Sequence, residues 1–347
     1  MKEEKLTGTQ WGVLLWGTAL APAAQLLPGA ALDLAGRGAW LSPLTALFLL
    51  FPILWLSRRG DARLLKRTLP GRGVLLLAAV WMELLLVLRL ALCARRMLQS
   101  GERDGGMWYF VLGLAVLTLW LGRGKLTAMA RAGQIFLWLL LAAAALVLGL
   151  SLPTLRPDRI LPLWTWDIVP LLRAGVHTAG DLCWVALPLL LIPSRTKEGK
   201  DLLLWGGGGC VLLTLAQGIV VGNLGVELSR RSESPFFVLT KSVGIEGGFQ
   251  RVESVVTALW LLADLMACVI LMYAIAAVLE GTVPGIHREG AQTLAVLIGA
   301  GGALWLLNWG AEAEAWDRDW IWLGSLLISV LTAGAIRWGR FLRQHAQ

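Results

Sequence analysis

The chain has 347 residues, of which 57% are hydrophobic and only 16% are charged, with a formal net charge of +8. Its mean hydropathy is +0.68. Because a typical soluble domain has about a quarter of its residues charged, this composition excludes an ordinary soluble protein and indicates an integral membrane protein. The positive charge lies mostly in short loops on one side of the predicted helices, so it does not indicate nucleic-acid binding.

Long, nearly uncharged stretches predict ten transmembrane helices, since about 18 or more apolar residues suffice to cross a bilayer. The short segments between them leave no room for a soluble domain, so we expect one polytopic membrane domain over residues 1–347. Thr7 or Thr9 is expected to cap the first helix. The predicted stretches are 10–31, 39–56, 73–94, 106–122, 131–151, 168–193, 202–226, 251–279, 291–309 and 320–341.

The first and the sixth stretches contain helix-breaking residues near their middle. Pro22 and Pro28 interrupt the first, and Gly180, Asp181 and Pro188 interrupt the sixth. A broken helix in lipid leaves backbone groups without partners unless it lines a polar cavity. A matched pair of breaks, five helices apart, is typical of secondary transporters with a binding site at the bilayer midplane.

Three carboxylates are predicted to lie deep in the membrane. By a rise of 1.5 Å per residue, Glu83 lies roughly 15 Å into its stretch, and Asp181 and Asp264 roughly 20 Å into theirs. An ionisable residue at that depth is costly and usually functional. Asp181 could bind a substrate ammonium or a cation, carry a proton, or only cap the second half of a broken helix. Glu83 and Asp264 could exchange protons during transport or only hydrogen-bond across helices.

Other polar residues near these positions complete the predicted site. His177 lies one turn before Asp181, where it could relay protons or be a hydrogen-bonded interior histidine. Arg89 is expected to extend towards the lipid headgroups. The candidate ligand-binding residues are Ala21, Pro22, Ala23, Gln25, His177, Gly180 and Asp181.

Neither a cofactor nor a metal site is expected, and the chain is not expected to be an enzyme. It contains no phosphate-binding loop, no hydrolase triad and no zinc motif. All four cysteines lie in apolar stretches without a Cys-x-x-Cys pair, so we expect free thiols. These are Cys93, Cys183, Cys210 and Cys268.

Lysine and arginine are more frequent in the loops on the N-terminal side of the predicted helices. The loop after the second stretch is the clearest case, with six basic residues between 58 and 72. Because positive charge marks the cytoplasmic side, both termini are predicted to be cytoplasmic.

Several motifs, in order, resemble the B subunits of bacterial spore germinant receptors (the GerAB-type family), which belong to the amino acid–polyamine–organocation transporter superfamily. The resemblance covers about residues 6–280. The motif around 248–254 is the most specific, being similar to the family's Phe-x-Gln-Arg-x-Glu opening of the eighth helix. The motifs are LTGTQ (6–10), LP (27–28), AGRGAW (35–40), HTAGDL (177–182), GFQRVES (248–254), and Trp260 and Tyr273 in register.

This resemblance implies an all-α, LeuT-like fold of ten helices in two inverted five-helix repeats, about 10–151 and 168–341, with helices 1 and 6 broken. It implies a small-molecule pocket between helices 1, 3, 6 and 8. The implied function is to bind a small nutrient, an amino acid, in the spore inner membrane and to signal germination. The implied partners are the A-type and C-type receptor subunits.

Alternative functions remain open at this point. The same fold and the three carboxylates suit a proton-coupled amino-acid permease. Ala21-Pro22-Ala23 replaces a glycine-rich stretch of the family, which leaves room for a structural membrane subunit whose pocket has degenerated. Asp181 replaces a glutamate of the family, so the identity of the ligand does not follow from the resemblance. Arg251 and Glu253 could gate the outer entrance, contact a partner subunit, or only pair with the preceding loop.

Overall fold

A computed structural model describes most of the chain. The described residues are 6–58, 65–66, 68–99, 106–161, 168–192, 199–232, 234–242, 252–309 and 315–345. Side chains are outside this description at 21–28, 56–58, 98–99, 199–203, 252–254, 317–318, 340 and 342–345.

The described part of the chain is helical and contains no β-strand. Each of the ten predicted stretches is occupied by a long helix, and two short helices follow the seventh. The helices are α1 Gly8–Ala35, α2 Ser42–Arg58, α3 Leu69–Gln99, α4 Met107–Gly122, α5 Leu126–Ser151, α6 Val169–Leu191, α7 Gly199–Leu224, α8 Val226–Arg231, α9 Pro235–Ser242, α10 Val252–Thr282, α11 Arg288–Leu306 and α12 Trp322–His345.

Eight helical stretches of the described residues are long and apolar enough to cross a membrane, and the shorter α4 is apolar as well. The all-α membrane fold is therefore confirmed. The first helix begins as its sequence predicts. Thr7 caps α1 by accepting the Gln10 backbone N–H at 3.2 Å, while the Gln10 side chain accepts the Thr7 N–H at 3.1 Å. This reciprocal arrangement is a capping box.

The predicted interruptions of the first and sixth helices are wrong, because α1 and α6 are each continuous. Pro22 and Pro28 lie inside α1, where a proline removes one hydrogen bond and bends a helix without ending it. Pro188 lies in the last turn of α6. Gly180 serves close packing, since a Cβ there would overlap the Trp322 backbone carbonyl of α12.

The centre of the bundle is formed by four helices, since α1 and α3 each contact both α6 and α10. The most buried span is α6, which also packs against α2 and α12. On the other side of α1, tryptophans of α1 and α7 fit against glycines of the facing helix. Trp16 occupies the space beside Gly209 and donates its indole N–H to the Trp205 carbonyl at 2.7 Å, and Trp205 covers Gly12.

Candidate functional site

The candidate site is built around two residues of α6, His177 and Asp181, one turn apart. The His177 Nδ1 and the Asp181 Oδ2 are 2.9 Å apart, and their side chains are only 11% and 19% exposed. The imidazole ring also packs against the indole ring of Trp322 in α12, with ring centroids 4.8 Å apart. The structure thus brings these two predicted residues together with Gly180, which packs against Trp322.

This arrangement suits the binding of a cation or an ammonium group. A carboxylate only accepts hydrogen bonds, and one oxygen of Asp181 is held by the imidazole. The histidine can accept or donate at Nδ1 according to its tautomer, so the pair can also hold a proton. The binding and relay roles predicted for Asp181 and His177 therefore both remain open.

The third predicted carboxylate, Asp264 of α10, forms a buried ion pair. Its Oδ2 lies 2.7 Å from the Arg96 guanidinium of α3, and its side chain is only 5% exposed. Of the two roles predicted for Asp264, this geometry favours the structural one, in which the pair joins α3 to α10.

Arg96 was missed by sequence reasoning, because the third stretch was predicted to end at residue 94. The helix α3 continues to Gln99, which carries Arg96 into the bundle. A charged residue just beyond the end of an apolar stretch was the available signal, although the sequence near it does not identify Asp264 as its partner.

Arg89 does not reach the headgroups, and that expectation is wrong. Its side chain is buried, and its guanidinium lies 4.3 Å from the ring centroid of Trp184 in α6. Arg89 lies ten residues before the end of α3, roughly 15 Å along the helix, which is too deep for the side chain to reach the interface. A guanidinium over an indole ring is a favourable cation–π contact.

Glu83 faces a different neighbour from the other two carboxylates. Its Oε1 lies 3.5 Å from the position of a Cβ at Gly299 in α11. Within the described residues this buried oxygen has no hydrogen-bond partner. Glu83 is thus a carboxyl group between α3 and α11, and either of its predicted roles remains possible.

Gln217 of α7 is a polar residue that sequence reasoning did not select. It is 2% exposed, and neither its amide oxygen nor its amide nitrogen has a partner among the described residues. Gly12 of α1 contacts Trp205 of α7, and Trp16 of α1 contacts Gly209 of α7, so the two helices run in parallel at a constant offset. At that offset, Gln217 of α7 lies level with the 21–28 segment of α1. The sequence could have indicated Gln217, because it is the single amide side chain in the largely apolar segment 211–221.

The remaining predicted site residues lie outside the described side chains. These are Ala21, Pro22, Ala23 and Gln25 in α1 and Glu253 in the first turn of α10, while Arg251 lies outside the described residues.

A small apolar cavity lies between α1, α2, α6 and α7. One of the residues that line it is Leu182, which follows Asp181 in α6. The cavity has a volume of about 20 Å³. A space of this size holds a single water molecule, so an amino acid could enter this region only after the helices move.

Comparison with known proteins places the chain in a family. Residues 103–307, more than half of the chain, match the family of spore germination proteins. The protein therefore belongs to that family, and the resemblance seen in the sequence motifs is confirmed. The match runs from just before α4 to the end of α11 and includes His177, Asp181 and Asp264; the motifs at 6–40 lie outside it.

Among solved structures, a mutant of a manganese transporter from Eremococcus coleocola is similar, with a TM-score of 0.49 and 12% identity. The similarity covers 95% of this chain and 75% of that one. A likeness at this level assigns neither a substrate nor a mechanism. No curated protein matches the chain.

Proposed function

We propose that this protein is the membrane subunit of a spore nutrient-germinant receptor, in the spore inner membrane with both termini cytoplasmic. It binds a small nutrient, an amino acid, near the middle of the membrane and signals germination to A-type and C-type partner subunits. Membership of the spore germination protein family supports this role. The observation that carries the ligand site is the buried His177–Asp181 pair on α6.

The proposed pocket lies beside α6, where α1, α3 and α10 meet it, with Trp322 of α12 packed against His177. Asp181 accepts hydrogen bonds from the ligand ammonium, while His177 fixes the carboxylate and Gly180 lets α12 approach. Ala21, Pro22, Ala23 and Gln25 of α1 are the further ligand-binding residues of this proposal. Because the apolar cavity that includes Leu182 has a volume of only about 20 Å³, binding requires movement of the two proposed five-helix repeats, 10–151 and 168–341. Occupancy then shifts a conformational equilibrium that the partner subunits detect.

The test uses purified protein in liposomes with radiolabelled amino acids, sugars and nucleosides. Saturable binding and counterflow exchange are scored in the same vesicles. Asp181→Asn is expected to weaken binding about tenfold to a hundredfold, as for loss of a hydrogen bond to a charged group. Asp158→Asn, on an exposed turn between α5 and α6, is the matched control and should bind as the unchanged protein does.

Two results would overturn the receptor proposal. The first is the absence of saturable binding of any solute in the panel. The second is a normal response of gene-deleted spores to every nutrient in a strain that lacks other germinant receptors. Saturable binding without exchange, together with a germination defect, supports a receptor that senses its ligand without transporting it.

A proton-coupled amino-acid permease is the second candidate, and Glu83 is the observation that favours it. A carboxyl oxygen inside the membrane that has no hydrogen-bond partner among the described residues belongs to a group that can take up and release a proton. The permease requires uptake driven by a pH gradient, lost in both Glu83→Gln and Asp181→Asn. Uptake that neither substitution changes contradicts proton coupling through these residues.

A further inference from the structure

A wide groove lies on the side of the bundle, between α4, α5 and α10. Its volume is about 530 Å³ and its walls are almost entirely apolar. Along α5 the groove extends from Ala128 to Phe136, roughly 12 Å at 1.5 Å per residue. The hydrocarbon part of one leaflet is roughly 15 Å deep, half of the bilayer core. The groove is therefore somewhat shorter than the depth of one leaflet, and long enough for most of an acyl chain.

The shape of the groove follows from the sizes of its side chains. Small residues, Ala128, Ala132 and Gly133, line the α5 wall, and Leu262 and Met266 of α10 face them. A Cβ at Gly133 would lie 2.9 Å from the Met266 methyl group, so the glycine allows this wall to sit close to α10. Long aliphatic chains fit such a groove because the lining offers apolar surface and few polar groups.

Two cations stand at one end of this groove, on the turn between α4 and α5. Lys125 is part of the lining and Arg123 is two residues away, and both are exposed. Among the residues that the structure describes, neither cation forms an ion pair. The turn that carries them is fixed, because the Tyr273 hydroxyl donates to the Gly124 carbonyl at 2.6 Å. Arg288 adds a third cation nearby, 4.2 Å from the Tyr273 ring centroid.

We propose that this groove is a binding site for an anionic phospholipid, with an acyl chain between α5 and α10 and the phosphate held by Arg123 and Lys125. Apolar walls that end at two exposed cations match the two halves of such a lipid. Basic residues beside a transmembrane helix attract anionic headgroups in the same way. The lipid ties the α4–α5 turn to α10, whose Asp264 is joined to α3.

The test is native mass spectrometry of the purified full-length protein with equimolar phosphatidylglycerol and phosphatidylcholine. We expect phosphatidylglycerol to be retained preferentially. In the double variant Arg123→Ala, Lys125→Ala, the preference should fall about fivefold for each cation removed. The double variant Arg156→Ala, Arg173→Ala is the control, because it removes two exposed cations near the opposite end of the bundle.

A second variant tests the acyl-chain part of the site independently. Ala132→Phe fills the groove and should lower phosphatidylglycerol retention with the cations in place. Ile135→Phe, at a position 69% exposed on the neighbouring face of α5, should not. Equal retention of the two lipids by the unchanged protein, or full preference in the Arg123, Lys125 variant, would overturn the proposal. Unchanged retention in Ala132→Phe would also overturn it.

Discussion

At the scale of single residues, two charges of the central helices are held by side chains from neighbouring helices. Arg96 pairs with Asp264 and Arg89 lies over Trp184. Burying a charged group inside a protein lowers the free energy of unfolding by roughly several kcal/mol unless a partner compensates for it. These two contacts therefore oppose separation of α3 from α10 and from α6.

Arg96→Met is expected to destabilise the protein strongly, by about 3–5 kcal/mol, because it leaves the Asp264 carboxylate buried without its cation. The double variant Arg96→Met, Asp264→Leu should recover most of this loss. Thermal unfolding in detergent with a thiol-reactive dye is the measurement, since all four cysteines are buried free thiols.

The exposed pair Arg231–Glu227 supplies the control for this experiment. Arg231→Ala should change stability by less than about 1 kcal/mol, as for other surface ion pairs. Equal effects of Arg96→Met and Arg231→Ala would contradict a stabilising role for the buried pair.

Gly180→Ala tests the close approach of α6 and α12. The added methyl group would overlap the Trp322 backbone carbonyl, which can move only if the whole helix moves. We expect a lower melting temperature and loss of ligand binding at His177–Asp181. Gly149→Ala is the matched control, since a Cβ there meets no atom and alanine favours a helix by about 1 kcal/mol. An unchanged melting temperature and unchanged ligand binding in Gly180→Ala would show that α6 and α12 are packed less tightly than this contact indicates.

At the scale of elements, the end of α4 is completed by side chains from other helices. The last carbonyls of any helix lack partners within it. Gln292 of α11 donates its amide N–H to the Gly122 carbonyl at 2.9 Å, and Tyr273 of α10 donates to the Gly124 carbonyl. These two hydrogen bonds fix the turn between α4 and α5 against the second half of the chain.

Gln292→Leu should therefore loosen this turn. The variant leaves the Gly122 carbonyl without its partner, a loss of about 1–3 kcal/mol for a buried group. Hydrogen exchange of peptides covering residues 119–129 should become faster. The adjacent Thr293 bonds only within its own helix, so Thr293→Val is the control. Unchanged exchange in Gln292→Leu would show that the contact does not hold the turn.

At the scale of the whole molecule, the distribution of basic residues predicts the orientation in the membrane. The α4–α5 turn is basic and should lie on the cytoplasmic side with the termini. The segment between α5 and α6, which contains Asp158, should then lie on the opposite side.

Single-cysteine labelling tests this orientation. An impermeant maleimide applied to right-side-out vesicles should label Asp158→Cys and should reach Lys125→Cys only after the membrane is opened. The four native cysteines are buried and should react little in the folded protein. Labelling of Lys125→Cys in intact vesicles would reverse the predicted orientation.

The helices, the Thr7 cap and the family could all be predicted from the linear sequence. Hydropathy and capping act between residues close in the chain, so a linear pattern is enough to predict them. It also selected His177 and Asp181 together, because a spacing of four residues places both on one face of a helix.

Only the tertiary structure decided which helix each buried charge meets. Arg96 and Asp264 are 168 positions apart, and no local pattern relates them. The same reason explains Gly180, which resembles a helix break in the sequence and is a packing contact in the bundle. Contacts between helices that are distant in the sequence depend on how those helices pack. Helix packing likewise determines how deep Arg89 lies and where the exposed groove beside α5 forms.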